Sequence, residues 1–300
     1  MKILITGACG QLGSELRATL AAGEGELGCV PQALQGAQVI GTDLAAAPGV
    51  EALDITDRGQ VMAFLQRCRP DVVINCAAYT NVNGCESNRQ AAFAANALGP
   101  RNLAMACEAL GARLVHVSTD YVFPGVGDVP LCEYDRPAPV SVYGKTKLAG
   151  EQYVQQFCSR WFIVRTAWLY GYVGNNFVKT ILRLAKERGA VKVVSDQLGN
   201  PTHCADLAWH ILQLCVTEEY GLYHCTGEGV CSWYEFACEI VRLGGVQATV
   251  TPCTTEEYPT PARRPAWSAL ENMALAATVG NRARPWKQAL ASFFEHWDGQ

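Results

Sequence analysis

Charge is scarce in this chain. Asp, Glu, Lys and Arg make up 17% of its 300 residues, the net charge is −4 and the isoelectric point lies near 5.8. A surface this lightly charged, with acids in excess, is not built to neutralise nucleic-acid phosphates. No apolar run approaches the ~20 residues needed to cross a bilayer. Neither nucleic acid nor membrane is therefore expected as a partner. No leader is expected either: Met1-Lys2-Ile3-Leu4-Ile5-Thr6-Gly7 enters a strand pattern at once, and a cytoplasmic location is expected. Metal spacing is absent, because the 5 histidines are scattered and the 14 cysteines, from Cys9 to Cys253, include no C-x-x-C pair. Without an export signal the cysteines read as small buried apolar residues rather than a disulfide framework. Repeats and low-complexity tracts are also lacking. What remains is an ordinary globular composition, 49% hydrophobic, long enough for one large domain or two unequal ones.

The first half alternates short apolar runs with helical patterns, the mark of βαβ units stacked around a parallel sheet. Strands are expected at Lys2–Thr6, Gln38–Thr42, Val72–Asn75, Arg113–Ser118 and Trp161–Thr166. Helices are expected at Gln11–Ala22, from Asp57 as N-cap to Cys68, at Asn88–Leu110, and at Val142–Phe157 behind Ser141. Beyond about residue 170 the pattern loosens into helices at Phe177–Lys186, Ala205–Val216 and Trp233–Arg242, the last behind the capping box Ser232-Trp233-Tyr234-Glu235. The fold class is α/β, a Rossmann-like doubly wound parallel sheet with a smaller irregular substrate lobe. Residues 1–170 with roughly 203–226 are assigned to the sheet, and 171–202 with 227–300 to the lobe.

Gly7-Ala8-Cys9-Gly10-Gln11-Leu12-Gly13 sits between a strand and a helix as G-x-x-G-x-x-G. The glycines serve a tight turn, close approach of backbone to a pyrophosphate, and close helix-on-strand packing. The exposed N–H groups and positive helix end then receive the phosphates. Asp43 ends the second strand, where an acid binds adenosine ribose hydroxyls; it falls later than the usual ~20 residues, through a lengthened connection. No Lys or Arg lies between Ile40 and Val50 to meet a 2′-phosphate, which favours NADH over NADPH on charge alone. Asp54-Ile55 and Ala77-Ala78-Tyr79-Thr80 follow later strands and line the adenine and nicotinamide-ribose path. Cys9 lies inside the loop, where oxidation would interfere with cofactor binding.

Tyr143-Gly144-Lys145-Thr146-Lys147 places a phenol and an ammonium four residues apart, on one face of a helix. A free tyrosine has a pKa near ~10. A cation at ~4 Å contributes ~4 kcal/mol at an effective dielectric of ~20, enough to bring the phenol toward neutrality. Such a group exchanges protons with an alkoxide. Alone, this spacing is common on helix surfaces.

With the glycine loop, Ser118-Thr119-Asp120-Tyr121-Val122-Phe123 and the Tyr143/Lys147 pair in order, the chain resembles the extended short-chain dehydrogenase/reductases. Among them it is similar to the branch that reduces 4-keto sugars carried on dTDP, nearly end to end. Arg165-Thr166-Ala167-Trp168-Leu169-Tyr170, Asp196-Gln197-Leu198-Gly199-Asn200-Pro201-Thr202 and Tyr258-Pro259-Thr260-Pro261-Ala262-Arg263-Arg264-Pro265 carry the likeness on the substrate side. The resemblance implies NADPH- or NADH-dependent reduction of the C4 carbonyl of dTDP-4-dehydro-β-L-rhamnose to dTDP-β-L-rhamnose. Thr119, Tyr143 and Lys147 are then the catalytic trio. Tyr143 is the proton donor, Thr119 stabilises the oxyanion, and Lys147 binds the nicotinamide ribose and lowers the tyrosine pKa. Thr119, Asp120, Trp168, Asn176 and Arg264 are implied to face the nucleotide-sugar, Arg264 through a phosphate. Each also has a plainer reading, as a loop cap, core packing or a surface ion pair.

Some positions depart from the family pattern. Asn83 replaces an aspartate, Pro124 stands where an aspartate is frequent, and Trp267 where a smaller or polar residue is common. Glu15 matches a position some relatives use in a metal-bridged dimer, which leaves a homodimer open. Two other functions compete: a nucleotide-sugar epimerase or dehydratase on the same scaffold, and a non-catalytic NADP-binding subunit similar to the regulatory β subunit of methionine adenosyltransferase. Tyr121 stands where the dehydratases place a second carboxylate, which counts against elimination.

Overall fold

The computed structural model describes residues 1–299; Gln300, the last residue assigned to the smaller lobe, lies outside the described residues. Its centre is a sheet of seven strands: β1 (Lys2–Thr6), β2 (Gln38–Asp43), β3 (Val50–Ala52), β4 (Val72–Asn75), β5 (Arg113–Thr119), β6 (Trp161–Thr166) and β7 (Gly221–His224). They lie in the order β7-β6-β5-β4-β1-β2-β3, every neighbouring pair parallel. The chain builds outward from β1 on one side, then returns to build outward on the other. That reversal opens a crevice at the carboxyl ends of β1 and β4, the place where such sheets bind ligands. Thr6 and Asn75, the last residues of these strands, are in register and joined by a side-chain hydrogen bond of 2.6 Å.

The eight principal helices are α1 (Gln11–Ala22), α2 (Arg58–Cys68), α3 (Gly99–Leu110), α4 (Val142–Phe157), α5 (Phe177–Arg188), α6 (Cys204–Leu214), α7 (Trp233–Leu243) and α8 (Trp286–His296). Side chains alternate across a strand, so the apolar run of β1 serves both faces. Ile3 and Ile5 pack with Leu12 and Leu16 of α1 and with Leu207 and Ile211 of α6. Leu4 packs the opposite way, with Val61 of α2, Leu103 of α3 and Val154 of α4. A separate apolar core joins α5, α7 and α8 through Val178, Ile181, Phe236, Ile240 and Phe293, beside a parallel ladder of Ala190–Val194 with Thr249–Cys253. After contributing to this second body, the chain sends Leu275, in the short helix Met273–Thr278, back to the first core.

Local side-chain caps begin several of the helices. Ser141 caps α4 by accepting from Gly144 N (3.1 Å), Asp57 caps α2 through Gln60 N (3.0 Å), and Ser232 with Glu235 forms a reciprocal capping box at α7. The helix expected over Asn88–Leu110 is interrupted instead. Arg89–Phe93 is α-helical, Ala94–Leu98 widens into a π turn, and α3 begins at Gly99. The cause is local: Pro100 has no N–H to offer the Asn96 carbonyl. The Asn96 amide bonds the backbone of Tyr79 on both sides, at 2.7 and 3.1 Å, and Thr146 at 3.1 Å. This distortion ties the wall of the crevice to α4.

Candidate active site

The crevice is a cleft of about 1200 Å³ that starts at the glycine loop and runs across the ends of β4 and β5 to α4 and the second body. Gly7, Gly10, Gln11, Leu12, Gly13, Asp43, Asp54, Ile55, Ala78, Tyr79, Thr80, Thr119, Asp120, Tyr143, Lys147, Trp168 and Arg264 all line it. Asn176 does not. It caps α5 by accepting from Lys179 N (3.0 Å), and its amide donates to the Gln11 side chain (3.0 Å) and the Gly171 carbonyl (2.8 Å). All three contacts are made inside the protein and join the second body to the glycine loop.

The loop fits a dinucleotide pyrophosphate. Gly7 has φ +66°, and a Cβ there would stand 2.7 Å from the Ala77 nitrogen. A Cβ on Gly13 would meet the Gly7 carbonyl at 2.2 Å, so α1 lies directly against the loop. No side chain caps α1, and its first turn carries no acid, leaving the positive helix end open to an anion. Asp43 ends β2 and accepts from Cys9 N (2.9 Å) and Leu44 N (2.8 Å), so its carboxylate also braces the loop. Replacing Gly13 by Ala is expected to weaken reduced-cofactor binding at least tenfold and to lower the melting temperature. Unchanged values in fluorescence titration and thermal unfolding would count against this packing role.

The trio gathers at the far end of β5 and the start of α4. Thr119 closes β5 in extended conformation; its hydroxyl donates to Asp120 Oδ1 (2.8 Å) and accepts from Tyr121 N (3.2 Å). Tyr143 lines the cleft together with Thr119, whose hydroxyl acts to lower the phenol's pKa. Lys147 is buried, and burial pushes its ammonium down to about 8 against the opposing charge of Glu151. The expected lowering of the Tyr143 pKa is not the outcome. The Lys147 ammonium instead donates to the Val117 carbonyl (2.7 Å). Burial, with the Asp120 charge adding to it, drives the Tyr143 phenol well above its ordinary range, and Thr119 only partly opposes them. Tyr143 therefore holds its proton at neutral pH.

Among the lining residues not expected at the site, three are aromatic. Tyr121 packs edge-on against Tyr143 at 5.4 Å, and its hydroxyl accepts from Arg264 Nη1 (3.1 Å). Its place beside Thr119-Asp120 was the available signal. Trp233 and Phe177, from the second body, complete an aromatic wall with Trp168. Trp168 adopts φ +48°, uncommon for a bulky residue. It stacks on Trp233 with centroids 3.6 Å apart and planes 7° from parallel, while Gly199 leaves room for its ring. Nothing local in the sequence links these two tryptophans.

A nucleotide cradle, a buried tyrosine–lysine helix and a polar strand end define an oxidoreductase of the extended short-chain dehydrogenase/reductase type. Comparison narrows the class. The family described as RmlD substrate binding domain matches residues 1–298, and the chain belongs to it. A dTDP-4-dehydrorhamnose reductase of Streptomyces griseus is 42% identical over 97% of this chain and 92% of its own. The crystal structure of a Clostridium acetobutylicum dTDP-4-dehydrorhamnose reductase superposes with a TM-score of 0.91 at 47% identity, covering 98% of this chain and 99% of that one. The Bacillus anthracis dTDP-4-dehydrorhamnose reductase in complex with NADP gives a TM-score of 0.88 at 41% identity, over 98% of both chains.

Proposed function

We propose that this chain is an NAD(P)H-dependent reductase of the C4 carbonyl of dTDP-4-dehydro-β-L-rhamnose, forming dTDP-β-L-rhamnose. One observation carries the reading: Thr119, Tyr143 and Lys147 meet on the wall of the same cleft that begins at the glycine loop. When bound, a reduced nicotinamide supplies hydride to the sugar carbonyl carbon. The glycine loop and the open end of α1 would hold its pyrophosphate, Asp43 its adenosine ribose, and Lys147 the ribose near the reacting carbon. The buried Tyr143 phenol gives its proton to the developing alkoxide, and Thr119 steadies that oxygen. Trp168 shapes the sugar subsite, and Arg264 reaches a phosphate of the nucleotide. The lobe built around α5, α7 and α8 supplies the substrate side, and the central sheet the cofactor side.

Two features of the site favour reduction over the competing readings. Tyr121, bonded to Arg264, occupies the place where elimination needs a second carboxylate. Every member of the trio lines one cleft, which a purely regulatory subunit does not require. No described helix is long and apolar enough to cross a membrane. A cytoplasmic enzyme is the location this reading gives. A homodimer rests on the Glu15 resemblance alone, and light scattering would decide it.

The direct test is to incubate the purified protein with dTDP-4-dehydrorhamnose and NADPH or NADH, following loss of absorbance at the nicotinamide band. Loss with at least one cofactor is expected; no loss with either overturns the assignment. Lys147→Ala is expected to weaken cofactor binding and turnover together, each roughly tenfold or more on the scale of a lost charge-assisted contact. A variant with both unchanged would remove Lys147 from the site.

A further inference from the structure

We infer that Asp120 is the proton reservoir of this site, feeding Tyr143 through the Thr119 hydroxyl. The inference rests on the reductase reading. It begins with a hydrogen-bond count at Thr119 Oγ1, which has one proton and two lone pairs. Tyr121 N–H occupies one lone pair at 3.2 Å, and the Asp120 contact at 2.8 Å takes either the proton or the second lone pair. With Asp120 ionised, the Thr119 proton is held by the carboxylate, and nothing is left to donate toward Tyr143 or the sugar oxygen. With Asp120 neutral, its own O–H donates to Thr119. The Thr119 proton is then released toward the reacting groups. Only the protonated acid lets Thr119 stabilise an oxyanion.

The surroundings of Asp120 suit a neutral acid. The residue is 2% exposed, and its Oδ2 is buried with no hydrogen-bond partner among the described residues. A carboxylate oxygen left without a donor in such a place is costly. The titratable groups facing the carboxyl are Tyr143 from α4 and Tyr121 from its own turn, and Ser268 adds a hydroxyl nearby. Arg264 donates to Tyr121 rather than to the acid. Burial accordingly pushes the Asp120 carboxyl up to about 6, against the Thr119 hydroxyl, while the Ser268 hydroxyl donates to the Leu198 carbonyl (3.3 Å).

The transfer balances as three proton moves. The Tyr143 O–H bond breaks as the product alcohol O–H forms. The resulting phenolate takes the Thr119 proton, and Thr119 takes the Asp120 proton. One negative charge has then passed from the sugar oxygen to Asp120, with no electrons exchanged. Solvent reloads the acid after product leaves. Asp120 acts through Thr119, as a positioning and proton-supplying residue.

The test compares pH profiles of the unmodified enzyme and Asp120→Asn, whose amide can donate to Thr119 but has no proton to transfer. Unmodified turnover is expected to fall about tenfold per pH unit above the Asp120 inflection, as the neutral acid is lost. Asp120→Asn is expected to lack that inflection and to turn over at least tenfold more slowly, with cofactor affinity unchanged. The same inflection in both proteins overturns the inference. A second measurement needs no variant: the rate of the unmodified enzyme in H₂O–D₂O mixtures. A curved dependence, from several protons in motion, is expected; a straight line also overturns it. Failure of the reductase reading is distinguishable, since the unmodified enzyme would then consume no reduced cofactor.

Discussion

Tyr143→Phe lowers turnover by roughly 10²-fold or more, the scale of a lost general acid, while the affinity for reduced cofactor stays near that of the unmodified protein. The substitution removes one oxygen and keeps the ring. The edge-on packing against Tyr121, at 5.4 Å and 79°, is preserved, so a collapsed fold is not the expected cause of the loss. Burial keeps the Tyr143 proton in place at working pH, so the group is loaded before substrate arrives. Single-turnover absorbance measurements on both proteins, with a fluorescence titration of cofactor, check the claim. Turnover within a few-fold of normal would take the phenol out of the mechanism.

The second large effect concerns stability. Under the trio, Arg165 donates from Nε to Glu151 Oε1 (2.9 Å) and from Nη2 to Oε2 (2.7 Å), while Ser118 adds a 2.5 Å bond to Oε1. Both side chains are almost fully enclosed, at 3% and 2% exposed. Removing one member of such a pair leaves an uncompensated buried charge and costs about 3–5 kcal/mol, whereas replacing both with apolar groups of similar size is often neutral. Glu151→Ala is therefore expected to lower the unfolding free energy by about that amount, and Glu151→Leu with Arg165→Met to recover most of it. Urea unfolding of the three proteins decides. A single variant as stable as the parent would show that the pair contributes little. Glu151 is also the main anion favouring the Lys147 ammonium. Its loss should move the high-pH fall of cofactor affinity to lower pH, because the charged lysine is then retained over a narrower range.

Much of the architecture was readable because the signals are local. The apolar runs of β1, β4 and β6 and the caps Ser141 and Asp57 act over a few residues, and their elements begin and end where expected. The glycine loop was readable for the same reason, since each glycine answers a backbone requirement of its own turn. Long-range facts were not. That Gly221–His224 pairs with β6, that Lys147 turns to the Val117 carbonyl, and that Trp233 covers Trp168 each depend on segments far apart in the chain. Asn176, which the resemblance implied to face the nucleotide-sugar, spends both amide N–H bonds on Gln11 and Gly171, contacts that no local spacing announces. The lowering of the Tyr143 pKa was misjudged because a spacing of four residues does not reveal how deeply the phenol is buried or where an ammonium finds its carbonyl.

The return of the chain to its first sheet also governs synthesis. A ribosome that has released residues through Thr166 has made β6 but neither β7 nor α6, which come from Gly221–His224 and Cys204–Leu214. Until those arrive, one flank of the sheet offers unpaired backbone, and the apolar faces of Phe162 and Val164 lack the Leu207 and Ile211 that later cover them. An unprotected strand of this kind invites pairing with another nascent chain. Truncations ending near residue 170 should therefore aggregate rather than fold, and the two lobes cannot be cut apart at a single point.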